Sequence, residues 1–163
     1  MYNGQMSTLS PSAQKIQNLL NELGFNYTVI EHVESTRTAQ EAADQANCEL
    51  GQIVKSLIFR GKTSGKPILV LTSGPNRVNE KQISEYAGEP IGKADADFVR
   101  AVTGYAIGGV PPLGHVEPME TYLDEDFSKY ATVWAAAGTP KAIFELNTED
   151  LQKMTGGKVV KVV

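Results

Sequence analysis

Twelve consecutive residues, Gly104-Tyr105-Ala106-Ile107-Gly108-Gly109-Val110-Pro111-Pro112-Leu113-Gly114-His115, restrict this chain more than any other stretch. Four glycines and two adjacent prolines allow neither an ordinary helix nor a central strand. Pro111 and Pro112 donate no backbone hydrogen bond and fix φ near −65°, while glycine reaches φ values closed to other residues. The composition predicts a stiff loop in which the N–H groups around Gly108 to Val110 are not all consumed by secondary structure. Such a loop either joins two elements tightly or presents spare donors to an anion or a polarised carbonyl.

The flanking sequence supplies short elements of both kinds. Ser10-Pro11 opens a helix with a capping hydroxyl and proline at the first turn. Ile16, Leu19, Leu20 and Leu23 form its apolar face, and Gly24 stops it. Asn26 to His32 alternates as a strand, with Tyr27, Val29 and Glu31 on one face and Thr28, Ile30 and His32 on the other. Thr38-Ala39-Gln40-Glu41 is a capping box ahead of an alanine-rich helix, and Asn79-Glu80-Lys81-Gln82 is a second candidate, for a helix ending at Gly88. Ile53 to Arg60 and Pro67 to Ser73 read as an antiparallel hairpin. Glu89 to Lys93 makes a brief strand, and Asp95 caps the helix that enters the glycine-proline loop. Met119 to Leu123, Thr132 to Ala137 and Ala142 to Leu146 read as strands. Thr148 caps a last helix to Thr155, and Lys158 to Val163 closes the chain as a strand. This order predicts an α+β fold, a mixed, curled or barrel-like sheet surrounded by helices, in one domain spanning residues 1–163.

Composition narrows the function. Apolar residues at 41 % and charged ones at 21 % fit a globular protein rather than a disordered chain. The polar start, Met1 to Leu9, does not read as a secretory signal, and no apolar run approaches the ~18 residues that span a bilayer. Together with the single Cys48, this leads us to expect a cytoplasmic protein without a membrane partner. A net charge of −4 argues against a broad grip on duplex DNA. Arg60, Lys62 and Lys66 around one turn, followed by Arg77 and Lys81, form either a solvated hairpin tip or a small nucleic-acid footprint.

Few residues suit catalysis. Lys55 lies between Ile53 and Leu57 on an otherwise apolar strand face. Its stem lies on the sheet while the amine reaches water, or the amine is partly desolvated in a pocket and binds a carboxylate, phosphate or oxyanion. His32 and His115 are the only histidines, so a histidine-rich metal site is excluded, and no metal or cofactor is expected. His115 either touches a ligand at the end of the loop or sits on the surface; His32 reads as structural. Cys48 reads as a small buried apolar residue, with no basic neighbour to make it a thiolate. There is no nucleophile elbow, dinucleotide fingerprint or P-loop. Asp124, Glu125 and Asp126 read as a solvated turn.

Val54-Lys55-Ser56-Leu57, Lys93-Ala94-Asp95 and Thr103-Gly104-Tyr105 through Gly108-Gly109-Val110-Pro111-Pro112-Leu113-Gly114 occur in an order and spacing that resemble the YbaK/ProX family. These are aminoacyl-tRNA editing domains, also found inserted in prolyl-tRNA synthetases, and the similarity runs from about residue 12 to the C-terminus. The resemblance implies a deacylase that hydrolyses the ester between a wrong amino acid and the tRNA 3′ end, in trans, with the charged acceptor end as substrate and an aminoacyl-tRNA synthetase as partner. Carried onto this chain, it places catalysis on Lys55 and Gly109, Lys55 anchoring the terminal ribose–phosphate and N–H groups near Gly109 holding the carbonyl. It places substrate contacts on Ile30, His32, Gly108, Val110, Pro111, Pro112, His115, Gly138 and Thr139. Members specific for cysteine resemble this chain less. They carry tyrosine where Ile30 precedes Glu31-His32, and an aspartate where Ile143 follows Ala136-Ala137-Gly138-Thr139-Pro140. A pocket of Ile30, Ile143 and Val110 implies a small side chain of the alanine, serine, threonine or cysteine type. Two other functions fit the same inventory: a non-catalytic module that binds a tRNA end or a synthetase, and an esterase for small molecules.

Overall fold

A computed structural model describes residues 8–163; the polar start read above as lacking a secretory signal lies, apart from Thr8 and Leu9, outside them. Among the described residues the helices are α1 (Pro11–Glu22), α2 (Ala39–Ala46), α3 (Glu80–Ala87), α4 (Ala96–Thr103) and α5 (Thr148–Thr155). The strands are β1 (Ile30–Glu31), β2 (Ile53–Gly61), β3 (Pro67–Ser73), β4 (Ile91–Lys93), β5 (Glu120–Asp124), β6 (Thr132–Ala136), β7 (Ala142–Asn147) and β8 (Lys158–Val160).

All eight strands join one mixed sheet in the order β1-β7-β6-β2-β3-β5-β8, with β4 attached to β2. The β2–β3 hairpin is its longest ladder, antiparallel from Val54 opposite Ser73 to Arg60 opposite Pro67. Alternation along β2 divides its side chains as the sequence predicts. Val54 and Ile58 enter the main core, where residues of β3, β5, β6 and β7 meet α1, α4 and α5, so the sheet curls around this core. Ile53 packs on the alanines of α2, and Phe59 packs on Ile83 of α3. Lys55, on that second face, falls in the gap between these two smaller clusters.

One edge of β2 determines where a site can form. It pairs with β6 only at Ile53 and Val54, and with β4 only at Phe59 to Gly61. Between them, from Lys55 to Ile58, the edge has no strand partner, so the sheet forks. Into this fork α4 delivers the glycine-proline loop, after Asp95 has capped the helix by accepting from Phe98 N–H at 2.8 Å.

Several local expectations change for identifiable reasons. Only Ile30 and Glu31 of the predicted Asn26–His32 strand pair with a neighbour, because Gln17 of α1 intercepts the backbone before them. It donates to Tyr27 O at 2.8 Å and accepts from Val29 N–H at 2.7 Å. Ser10 occupies the cap position of α1, but its hydroxyl does not cap the helix; its N–H and hydroxyl both bind Glu31, at 2.7 and 2.8 Å. The Thr38–Glu41 box forms in both directions, whereas Asn79 accepts from Gln82 without a return bond, since the amide of Gln82 reaches Tyr86. Asn147, not Thr148, occupies the cap position of α5, and the Thr148 hydroxyl donates to Tyr130 O at 2.7 Å. The last strand stops at Val160, after which Val162 O accepts the Asn79 N–H at 2.7 Å and ties the chain end to α3.

Candidate functional site

Lys55, Ser56 and Leu57, at the unpaired edge of β2, face Ile107 and Val110 of the glycine-proline loop. These five residues line two adjoining cavities. The smaller, about 400 Å³, is walled by α2, Ile53, Val54, Trp134, Ala136 and Ile143, and includes Gly108. The larger, about 800 Å³, continues past Asn76, Arg77 and Val78 to Lys93 and Ala94. The lysine and the loop, some fifty residues apart in sequence, therefore share one depression.

The electrostatics differ between the two halves. Lys55 Nζ donates to Asn76 O at 2.7 Å, which leaves two of its three N–H groups for the cavity. Burial pushes its ammonium below the ordinary lysine value; the charge of Asp124 opposes that shift and Arg77 adds to it. Arg77 and Lys93 join Lys55 around the larger cavity, with Glu80 as its one carboxylate among the lining residues. Apart from Lys55, which it shares with the larger cavity, and Arg37 at its mouth, the smaller cavity is lined by apolar side chains and the hydroxyls of Thr36, Thr38 and Ser56. The Thr36 and Ser56 oxygens are buried and have no hydrogen-bond partner among the described residues.

The loop has the spare donors its composition predicts between Gly108 and Val110. Gly109 N–H is committed to Ala106 O at 3.0 Å, and Gly109 O accepts from Gly138 N–H at 2.9 Å. The donors without an acceptor among the described residues flank it, on Gly108 and Val110. Among the N–H groups near Gly109, those of Gly108 and Val110 are thus the ones left spare, and Gly109 is the point at which the loop is fastened. Gly108 has φ +90°, and a Cβ there would lie 2.5 Å from Arg37 Cγ, so the arginine stem is laid against the loop.

The remaining candidates stand behind the cavity rather than in it. Pro111 and Pro112 are buried, and neither is part of the cavity wall. Thr139 backs Gly109, and its hydroxyl donates to Glu31 at 3.2 Å. Ile30 pairs with Ile143 and so shares its sheet face, but Ile30 is half exposed beyond the rim. His32 donates its N–H to Lys141 O, and its Nε2 is buried without a partner among the described residues.

His115 turns inward, its Nε2 2.7 Å from Pro111 O, which makes Nε2 the protonated nitrogen and the imidazole a clasp on the loop. Burial holds its pKa below the ordinary value. Its contribution to stability is therefore fully present above the unfolded imidazole pKa of about 6.5, and is lost as pH falls through that value towards the lower folded one. His115→Gln is expected to flatten the decline in Tm between about pH 7.5 and pH 5 in calorimetric scans. An unchanged decline contradicts the burial of the imidazole as the source of this pH dependence.

Other places lack the chemistry. Burial, with Glu145 and Glu49 nearby, pushes the Cys48 thiol up to about 11, so it is not a nucleophile near neutral pH. Arg60 lies over the Phe98 ring at 4.5 Å, away from the cavity, whereas Arg77 from the same basic stretch reaches it. A depression of about 600 Å³ beside α5 is lined by Asp124, Glu125 and Glu149 and by no cation, and disfavours a phosphate chain. Sequence reading missed Arg37, Asn76 and Asp124. Asp124 is 2 % exposed, not part of a solvated turn.

The family model of the aminoacyl-tRNA editing domain matches residues 33–154. The chain is 31 % identical over 131 residues to the uncharacterized protein YwhH of Bacillus subtilis, covering 80 % of this chain and 83 % of that one. It is 26 % identical over 130 residues to the "putative Cys-tRNA(Pro)/Cys-tRNA(Cys) deacylase EbsC" of Enterococcus faecalis, covering 79 % of each. A crystal structure of "a putative trans-editing enzyme for prolyl tRNA synthetase" superposes with a TM-score of 0.89 at 46 % identity, over 95 % of this chain and 98 % of that one.

Proposed function

The chain belongs to the aminoacyl-tRNA editing domain family, and we propose that it is a trans-editing deacylase that removes a small amino acid of the alanine, serine, threonine or cysteine type from a mischarged tRNA. One observation carries this reading: a desolvated ammonium and unpartnered loop N–H groups line the same cavity at the fork of the sheet. In it, Lys55 binds the phosphate–ribose of the terminal nucleotide, and Arg77 and Lys93 extend the cationic surface for the acceptor strand. The aminoacyl group enters the smaller cavity, where Ile143, Val110 and Ala136 limit its size. The hydroxyls of Thr36 and Ser56 offer partners to its ammonium or to a polar side chain.

The ester carbonyl oxygen lies against the N–H groups of Gly108 and Val110. Water adds to the carbonyl carbon, those donors take up the developing oxyanion, and the C–O bond to the ribose breaks with a proton passing to the ribose oxygen. An aminoacyl ester is already labile, so orientation and oxyanion donors suffice without a protein nucleophile. The relatives' names support prolyl-tRNA synthetase as the enzyme whose errors are corrected.

A panel of tRNAs, proline acceptors included, charged with correct and incorrect amino acids tests this directly. Amino-acid release from at least one small-residue mispair is expected to exceed that from the cognate pair by about 10- to 200-fold, the range one or two methylenes set in an apolar pocket. Tight binding of a 3′-end analogue with no release from any mispair would instead identify a non-catalytic tRNA-binding module. Equal turnover of minimal aminoacyl esters and charged tRNA would identify a small-molecule esterase.

A further inference from the structure

A polar network anchored on a buried carboxylate lies behind Lys55 rather than in front of it. Asp124, at the end of β5, accepts from Ser73 N–H at 2.9 Å and from Asn76 Nδ2 at 2.8 Å through one oxygen. Its other oxygen accepts from Asp126 N–H at 2.9 Å. Asp126 takes a second bond from Asn76 Nδ2 at 2.7 Å, and Asn76 N–H donates to Ser73 O at 2.9 Å. The turn leaving β3 is thus fixed on both sides, and its outward product is one carbonyl, Asn76 O, to which Lys55 Nζ is bound at 2.7 Å.

A fully buried carboxylate is retained where its hydrogen bonds are complete and its charge has a use. Here the bonds are complete, and the charge lies behind a lysine that is itself partly desolvated. We propose that Asp124 is a positioning residue for the editing site: through Asn76 it fixes where the Lys55 ammonium stands, with its own charge directly behind that ammonium. This rests on the deacylase reading for its effect on rate, but not for its effect on the lysine.

The groups facing Lys55 settle the sign. Thr72, opposite it on β3, is neutral. Arg77 disfavours its charge and Asp124 favours it; the other charged groups on the two cavity walls are Lys93, Arg37 and Glu80, and Asp126 lies beyond Asn76. Removing the buried negative charge therefore lets the lysine titrate at lower pH, in the direction burial already drives it.

The test uses the full chain with lysine side chains isotopically labelled, the Lys55 signal assigned by its loss in Lys55→Ala. Asp124→Asn is expected to move the Lys55 titration to lower pH in NMR. It should also lower deacylation of a mischarged tRNA about tenfold near neutrality, with the alkaline limb of the rate profile shifted the same way. Asn76→Ala keeps the buried charge and the carbonyl that Lys55 binds, but removes the amide that ties this turn to Asp124 and Asp126. It should lower the rate with a smaller change in the titration, and it decides the matter if Asp124→Asn does not fold. An unchanged Lys55 titration in Asp124→Asn, or an unchanged rate in Asn76→Ala, overturns the assignment. Should wild type deacylate nothing in the panel, the deacylase reading fails, and the NMR titration still decides whether Asp124 governs the lysine.

Discussion

Lys55→Ala is expected to lower deacylation of the best mischarged substrate by about 10²–10³-fold, while Tm moves by no more than about 2–4 °C. The two halves of this result have one cause. The Lys55 side chain makes one hydrogen bond among the described residues, to Asn76 O, so removing it breaks little of the fold. Its other donors face a cavity in which water is partly excluded and a charge–phosphate contact is stronger than at the surface. Arg37, Arg77 and Lys93 bear the same charge but are exposed, so alanine at any one of them should cost only a few-fold and act through salt-dependent binding. Lys55→Arg keeps the charge but replaces a compact ammonium with a planar fork, and should fall between wild type and alanine. Because the folded Lys55 pKa is lowered, the wild-type rate should decline as pH rises through that value, a limb absent from the residual activity of Lys55→Ala. Full activity in Lys55→Ala removes the lysine from the site.

The parts of this site that the sequence discloses are those carried by local rules. Alternation along β2 puts one charged residue among apolar ones on a single face, and the glycines and prolines of the loop rule out regular structure for themselves. Either signal survives without knowledge of the fold. Arg37, Asn76 and Asp124 carry no such signal. Asp124 looks like one of three acidic residues in a turn, and only the parallel pairing of β3 with β5 brings it under the turn that follows Ser73. Asn26 to His32 failed in the opposite way: its alternation is genuine, but Gln17, ten residues earlier, meets the backbone needs that a partner strand would have met. Which of the loop's N–H groups stay spare has a related cause. Composition can say that a loop holds spare N–H groups, whereas the turn closing on Ala106 decides which one is taken.

Gly109→Ala is expected to reduce deacylation by about 10²-fold and stability by about 1–3 kcal/mol, although the substitution adds one carbon and touches no substrate. A Cβ at this position would stand 2.8 Å from Thr139 C, 2.9 Å from its Cα and 3.0 Å from its N. Those are backbone atoms, so no side chain can swing aside. Thr139 cannot retreat freely either, because Gly138 before it holds Gly109 O by its N–H, and a Cβ on Gly138 would itself lie 2.9 Å from Ser12 O. Loop, turn and the start of α1 are stacked at backbone contact, and one methyl group must push the loop outward. The groups displaced first are Gly108 and Val110, whose N–H donors are proposed to meet the oxyanion. A stability loss of this size leaves most domains folded at 25 °C, so a rate measured on protein whose melting curve is still cooperative reports the displacement rather than unfolding. Lys55 lies on β2, outside the strained stack, and its NMR titration should remain that of wild type. A Gly109→Ala protein that binds a 3′-end analogue normally and still deacylates at the wild-type rate would place the oxyanion donors somewhere other than this loop.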